Sequence, residues 1–150
     1  MRKLQVRVIK QIRNYLKEHN RIEEIDLLLT VPGIGFNTAV TLYTELMDPE
    51  RFEDLDHVAS YVGLVPCVRS TSDKVVVLGI KFQHNKFLRQ LLVEAAWVAV
   101  RKDPVMTFSY NNYIKRMSKQ EAIIRIAKRL LSRITYVWKN KKPYVKSVVK

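Results

Sequence analysis

The stretch Leu27 to Leu46, LLLTVPGIGFNTAVTLYTEL, decides the reading of the fold. An apolar run enters Val31-Pro32-Gly33-Ile34-Gly35 and a second apolar-periodic segment leaves it, the pattern of a helix-hairpin-helix. Pro32 stops the incoming helix, because its ring removes a backbone donor and disfavours helical geometry in the preceding residue. Gly33 and Gly35 permit positive φ or close backbone approach through the turn. Ile34 between them is expected to point into the seam of the two helices, and Ala39 is small enough for tight helix contact. Asn37 and Thr38 fall in the first turn of the outgoing helix. Two readings of the turn stand. Either the free amides at that helix start hold a nucleic-acid phosphate, or the turn joins two helices tightly and does nothing more.

Working outward, Leu4 to Lys17 reads as an amphipathic helix with Val8, Ile12 and Tyr15 on one seam and Arg7, Lys10, Arg13 and Lys17 on the other faces. Residues 1–20 are therefore taken as an N-terminal helical arm, a packing or coiled-coil element with solvated charges. Residues 21–140 form the main domain, and residues 141–150 a flexible basic tail. Inside the domain, Asp54 to Tyr61 is a short helix on whose flank His57 lies as a surface or capping residue. Gly63-Leu64-Val65-Pro66 breaks it. Residues 67–82 are the least helical part, with Ser70-Thr71-Ser72 ahead of Val75-Val76-Val77, and read as a small irregular β hairpin. Asn85 caps a helix from Lys86 to Arg101, on which Arg89, Val93, Trp97 and Arg101 recur at four-residue steps. Asp103-Pro104 starts the next helix, with proline at its first position. The fold class is thus mainly α: a helix-hairpin-helix core, a small irregular β hairpin and a long basic C-terminal helix.

That last helix opens at Ser118, which with Glu121 three residues later makes a capping box, and runs to about Asn140. Its apolar stripe is Ile123, Ile126, Ala127, Leu130, Ile134 and Val137. The other face carries Arg125, Lys128, Arg129, Arg133 and Lys139, with Glu121 the one acidic residue along the helix. Basic side chains without intrahelical partners point to a face that tracks phosphates; Arg89 on the preceding long helix is added to that set, with Gly33 and Gly35 as backbone contacts.

Charge distribution supports the far end of the chain over the hairpin. The formal net charge is +13, made of +5 over residues 1–20, −7 over 21–60, +3 over 61–100 and +12 over 101–150. A C-terminal third so basic calls for a polyanion or a very acidic partner. One cysteine, Cys67, excludes an internal disulfide and a cysteine zinc cluster, and the three histidines have no ligand spacing. No run approaches the ~18 apolar residues of a membrane span, so the expected location is the cytoplasm, with no membrane partner.

Four stretches, Val31-Pro32-Gly33-Ile34-Gly35, Arg51-Phe52, Ala59-Ser60-Tyr61-Val62-Gly63-Leu64-Val65-Pro66 and Leu88-Arg89-Gln90-Leu91-Leu92-Val93-Glu94-Ala95-Ala96-Trp97, occur in the order seen in Piv-type insertion-sequence transposases. From about Ile22 onward the chain resembles the C-terminal transposase domain of that family, including the basic helix through Ala122 to Lys128. The resemblance implies a DNA-transposition role in which a serine of this domain and metal-binding acids of an N-terminal RuvC-like DEDD domain cut and rejoin DNA, guided in some members by an RNA. The family serine lies in a Ser-Ser-Gly-like motif, and its place here is taken by Thr71, with Ser70 one position earlier and no glycine following. Mg is expected only in the RuvC-like domain, with no cofactor in this chain. On this reading residues 1–20 are the end of a linking coiled segment, and the chain is a fragment or a truncated copy, not competent alone, that binds DNA and associates as a homo-oligomer or with an intact transposase. The alternative is a non-enzymatic helical module for DNA or RNA.

Overall fold

The structure, a computed structural model, describes the backbone of residues 2–71, 74–80 and 85–146 and the side chains of residues 3–65 and 85–146. Among the described residues seven helices run in order: α1 Arg2–Glu18, α2 Ile22–Leu29, α3 Phe36–Leu46, α4 Leu55–Val62, α5 Lys86–Lys102, α6 Pro104–Tyr113 and α7 Lys119–Asn140. A 3-10 turn, Pro49–Arg51, lies between α3 and α4. Strands β1 Pro66–Thr71 and β2 Lys74–Ile80 pair antiparallel between α4 and α5, with a register shift between Pro66 and Val68.

Local chemistry places most helix starts. Asp54 caps α4 through the His57 amide at 2.8 Å, and Asn85 caps α5 through the Leu88 amide at 3.0 Å. Ser118 and Glu121 form the capping box of α7 in both directions, at 3.2 and 3.0 Å. Helix ends follow the same logic. Gly63 closes α4 at φ +83, a conformation that costs glycine nothing. Asn20, at φ +53, turns the chain between α1 and α2.

The core gathers around α7. Ile126, Leu130, Leu131 and Ile134 have no exposed surface and Trp138 is buried with them, while α2, α4, α5, α6 and the 3-10 turn all pack on this helix. Its buried face includes Ala122, Leu131 and Trp138 beside the expected apolar stripe, so the helix is enclosed on more than one side. The hairpin between α2 and α3 packs differently. Val31, Pro32 and Ile34 are buried, and a Cβ placed on Gly33 would lie 2.2 Å from the Ala95 carbonyl oxygen of α5. Gly33, at φ +90, therefore lets the turn seat on the backbone of a third helix as well as joining two. A Cβ placed on Gly35 would meet nothing within 4 Å, and this residue caps α3 without a side chain.

The described part of the tail, residues 141–146, makes contacts with the rest of the domain. α7 ends at Lys141 in the left-handed region, φ +52, and Lys141 donates to Glu24 of α2 at 3.0 Å. The Tyr144 amide donates to the Thr30 hydroxyl at 2.9 Å, and the Tyr144 hydroxyl donates to the Asp103 carboxylate. Tyr144 thus links the end of α2 at Thr30 to the α5–α6 corner at Asp103.

Candidate nucleic-acid interface

The basic residues of α7 differ in their surroundings. Arg125 is exposed, its guanidinium 5.9 Å from the centre of the Tyr113 ring on α6. Lys128 donates to Asp56 of α4 at 2.6 Å, an exposed ion pair of modest strength. Arg129 reaches the other way, donating to the buried Ser109 hydroxyl of α6 at 2.8 Å. Partners from neighbouring helices therefore stand in for the missing intrahelical ones. Such partners cannot be read from a helical wheel of α7 alone.

Arg133 stands beside the tail. Burial, followed by the hydrogen bond to Asp103 and that carboxylate's charge, pushes the Tyr144 hydroxyl up to about 12, while Arg133 and Arg129 pull it back. Asp103 is fully buried and uses its second oxygen to cap α6 through the Val105 amide at 2.9 Å. Two arginines, a carboxylate and a phenol thus share one corner. Lys139, at the far end of α7, is exposed but lines a cleft with Glu24, Asp48 and Glu50, and a second one with Asp54. Carboxylates dilute its field.

What remains outward is Arg125 with the turn between α6 and α7. Lys115 and Arg116 are exposed there, and the Arg116 amide donates to the Tyr113 carbonyl at 2.9 Å, which places the turn next to the ring that Arg125 approaches. Lys119 follows at the start of α7. Sequence reasoning passed over these three although the signal was visible, three cations around one helix break. Tyr136, 57% exposed on α7, adds an aromatic group farther along the helix.

Arg89 lies elsewhere. It lines a groove between α5 and α7 that includes none of Arg125, Lys128, Arg129, Arg133 or Lys139, and partial burial lowers its pKa from the ordinary value. The hairpin also gains a cation that its own acidic segment does not supply. The Arg13 guanidinium of α1 sits 4.9 Å from the ring of Phe36, the first residue of α3. Ser70 and Thr71 lie on β1, opposite Val75 and Lys74 respectively; their side chains, with Ser72 and Phe82-Gln83-His84, lie outside the described residues. Among the described residues no three His, Cys, Asp or Glu side chains gather as metal ligands would, and no helix is long and apolar enough to cross a membrane.

Residues 25–111 match the model of the IS116/IS110/IS902 transposase family. The chain belongs to that family. The matched residues hold the hairpin turn, both strands and the α5 stripe, and stop before α7. Curated relatives agree. The transposase of insertion sequence IS1328 from Yersinia enterocolitica is 38% identical over 95 residues, 63% of this chain and 28% of that protein. The IS1111A transposase of Coxiella burnetii is 28% identical over 103 residues, 69% of this chain and 28% of its own length. The pilin gene-inverting protein of Moraxella bovis is 30% identical over 129 residues, 81% of this chain and 39% of its length. This transposase-family chain thus spans between 28% and 39% of these relatives.

Proposed function

We propose that this chain is the DNA-binding C-terminal domain of an insertion-sequence transposase. The family match over residues 25–111 carries the reading, and the outward cations around Arg125 support it. In this reading duplex DNA meets Arg125, Lys115 and Arg116, with Gly35 and the amides at the start of α3 as a secondary contact beside Arg13. Lys128, Arg129 and Arg133 hold the surface in shape first and meet phosphate second.

The strand-cutting role belongs to the hydroxyls on β1. Ser70 or Thr71 oxygen would attack a backbone phosphorus; a phosphoester to protein forms, the bond to one sugar oxygen breaks, and that oxygen leaves with a proton. A hydroxyl is a weak nucleophile at its free pKa and needs a base or metal to activate it. The acids for that purpose would come from a RuvC-like domain of an associated copy.

A salt series on duplex binding tests the first part. The affinity should fall steeply with salt, and Arg125→Ala should reduce the slope by about one. A slope near zero would remove the DNA reading. For the second part, the chain is mixed with an end-labelled insertion-sequence junction and an intact relative. A covalent adduct lost only in the Ser70→Ala, Thr71→Val double variant is expected, and an adduct that survives it excludes both hydroxyls.

A further inference from the structure

The α5 stripe of Arg89, Val93 and Trp97 is not used by the duplex-facing cations. Together with Lys119, Gln120 and Ile124 of α7, it lines an open groove of about 950 Å³. The floor is apolar, made by Val93, Trp97, Ile123 and Ile124. Around it stand Lys86, Arg89 and Lys119, against one lining carboxylate, Glu94, which accepts the Gln90 amide at 3.0 Å. Trp97 stays 40% exposed, whereas Trp138 is 2% exposed. Its ring meets Tyr110 edge-on, with centroids 5.5 Å apart and planes at 65°, a contact that holds the indole without covering it.

A fixed indole, flanking cations and side-chain amides suit an unpaired nucleobase with its phosphates, because every base has a face to stack and every nucleotide a charge. A base inside a duplex is already stacked on both sides and cannot lie on the ring. An apolar peptide would fill the floor but leave Arg89 and Lys119 facing it without counter-charge. We propose that this groove binds a single DNA strand, one unpaired base stacking on Trp97 and the adjoining phosphates meeting Arg89 and Lys119. The proposal rests on the DNA reading above and adds a second, strand-selective site to it, suited to the unpaired segment that strand exchange creates.

Trp97 supplies its own signal, since the other tryptophan is buried. The full chain is titrated with an oligothymidylate strand and with a duplex, following tryptophan emission, and in parallel by anisotropy of labelled DNA. Saturable quenching by the strand, and little by the duplex, is expected. Trp97→Ala should weaken strand binding about tenfold and leave duplex binding unchanged; Trp97→Phe should keep most of the strand affinity. Lys119→Glu, at an exposed position where a carboxylate suits the helix start, should weaken strand binding without any question of folding. Equal quenching by strand and duplex, or strand binding indifferent to both Trp97→Ala and Lys119→Glu, overturns the site. So does tighter Trp97-dependent binding of an RNA strand, or an emission shift with protein concentration alone, which would mark a second copy in the groove. Duplex binding that persists while strand binding fails sinks only this proposal. Strand binding that persists without duplex binding sinks only the duplex surface.

Discussion

At Gly33 two constraints coincide: the backbone is at φ +90, and the Ala95 carbonyl stands 2.2 Å from where a Cβ would be. Gly33→Ala should therefore destabilise the domain by about 3 kcal/mol or more in denaturant unfolding, since strain and collision add. Gly35→Ala meets open space and should stay within about 1 kcal/mol of the parent. The sequence places both glycines in the turn, yet only the folded chain separates them, because the partner of Gly33 is on α5, far along the sequence. Tyr144 offers a second residue-scale test. Its pKa is raised to about 12 from 10.0, so the protonated phenol is favoured in the folded state. Its contribution is complete below pH 10 and is lost as pH climbs toward 12. A spectrophotometric titration should show one late tyrosine that disappears in Tyr144→Phe; early titration of every tyrosine would mean that the tail is not held.

Elements announced by local chemistry were legible. Asp103-Pro104, Asn85 and the Ser118–Glu121 box each mark a helix start because one side chain satisfies a backbone amide a few residues on, and that logic is written within four residues. Ser118→Ala should lower unfolding stability by about 1 kcal/mol. Glu121 gives the accompanying pH dependence: the Ser118 amide and hydroxyl hold its carboxyl below the ordinary value. The stabilisation is present above the unfolded-state pKa and lost as pH falls through the lowered folded one; Glu121→Gln should remove that acid limb, and Ser118→Ala, which keeps the amide, should only reduce it. What local chemistry could not give is how far α7 is enclosed. Periodicity showed its apolar stripe, but Leu131 and Trp138 are buried because four other helices surround it. For the same reason Lys128 and Arg129 looked free in sequence and are partnered in space.

Across the whole molecule, the candidate surface is smaller than a count of +12 over the last fifty residues suggests. Asp56 holds Lys128 at 2.6 Å, so phosphate must compete with a carboxylate for that lysine. Asp56→Asn should cost under about 1 kcal/mol of stability, the pair being exposed, while raising duplex affinity and steepening its salt dependence. An unchanged affinity would place Asp56 and its partner Lys128 outside the interface altogether. Family membership could be read from four motifs in order, because they are packing motifs whose residues fix helix contacts. The candidate hydroxyls Ser70 and Thr71 come from the family resemblance alone, through the place of its Ser-Ser-Gly-like motif, and their side chains lie outside the described residues.

The tail changes what charge segregation means for this chain. Written linearly, an acidic stretch of −7 and a basic end of +12 look like opposite poles. Folding brings them together: Lys141 pairs with Glu24 at 3.0 Å, and Tyr144 crosses beside Thr30. The pair offsets Lys141 at the C-terminal end of α7, whereas Arg125 nearer the other end of the helix, with the exposed Lys115 and Arg116 before it, stays outward to an approaching polyanion. Docking orientation would then be selected before contact, by the part of the field that folding leaves uncancelled.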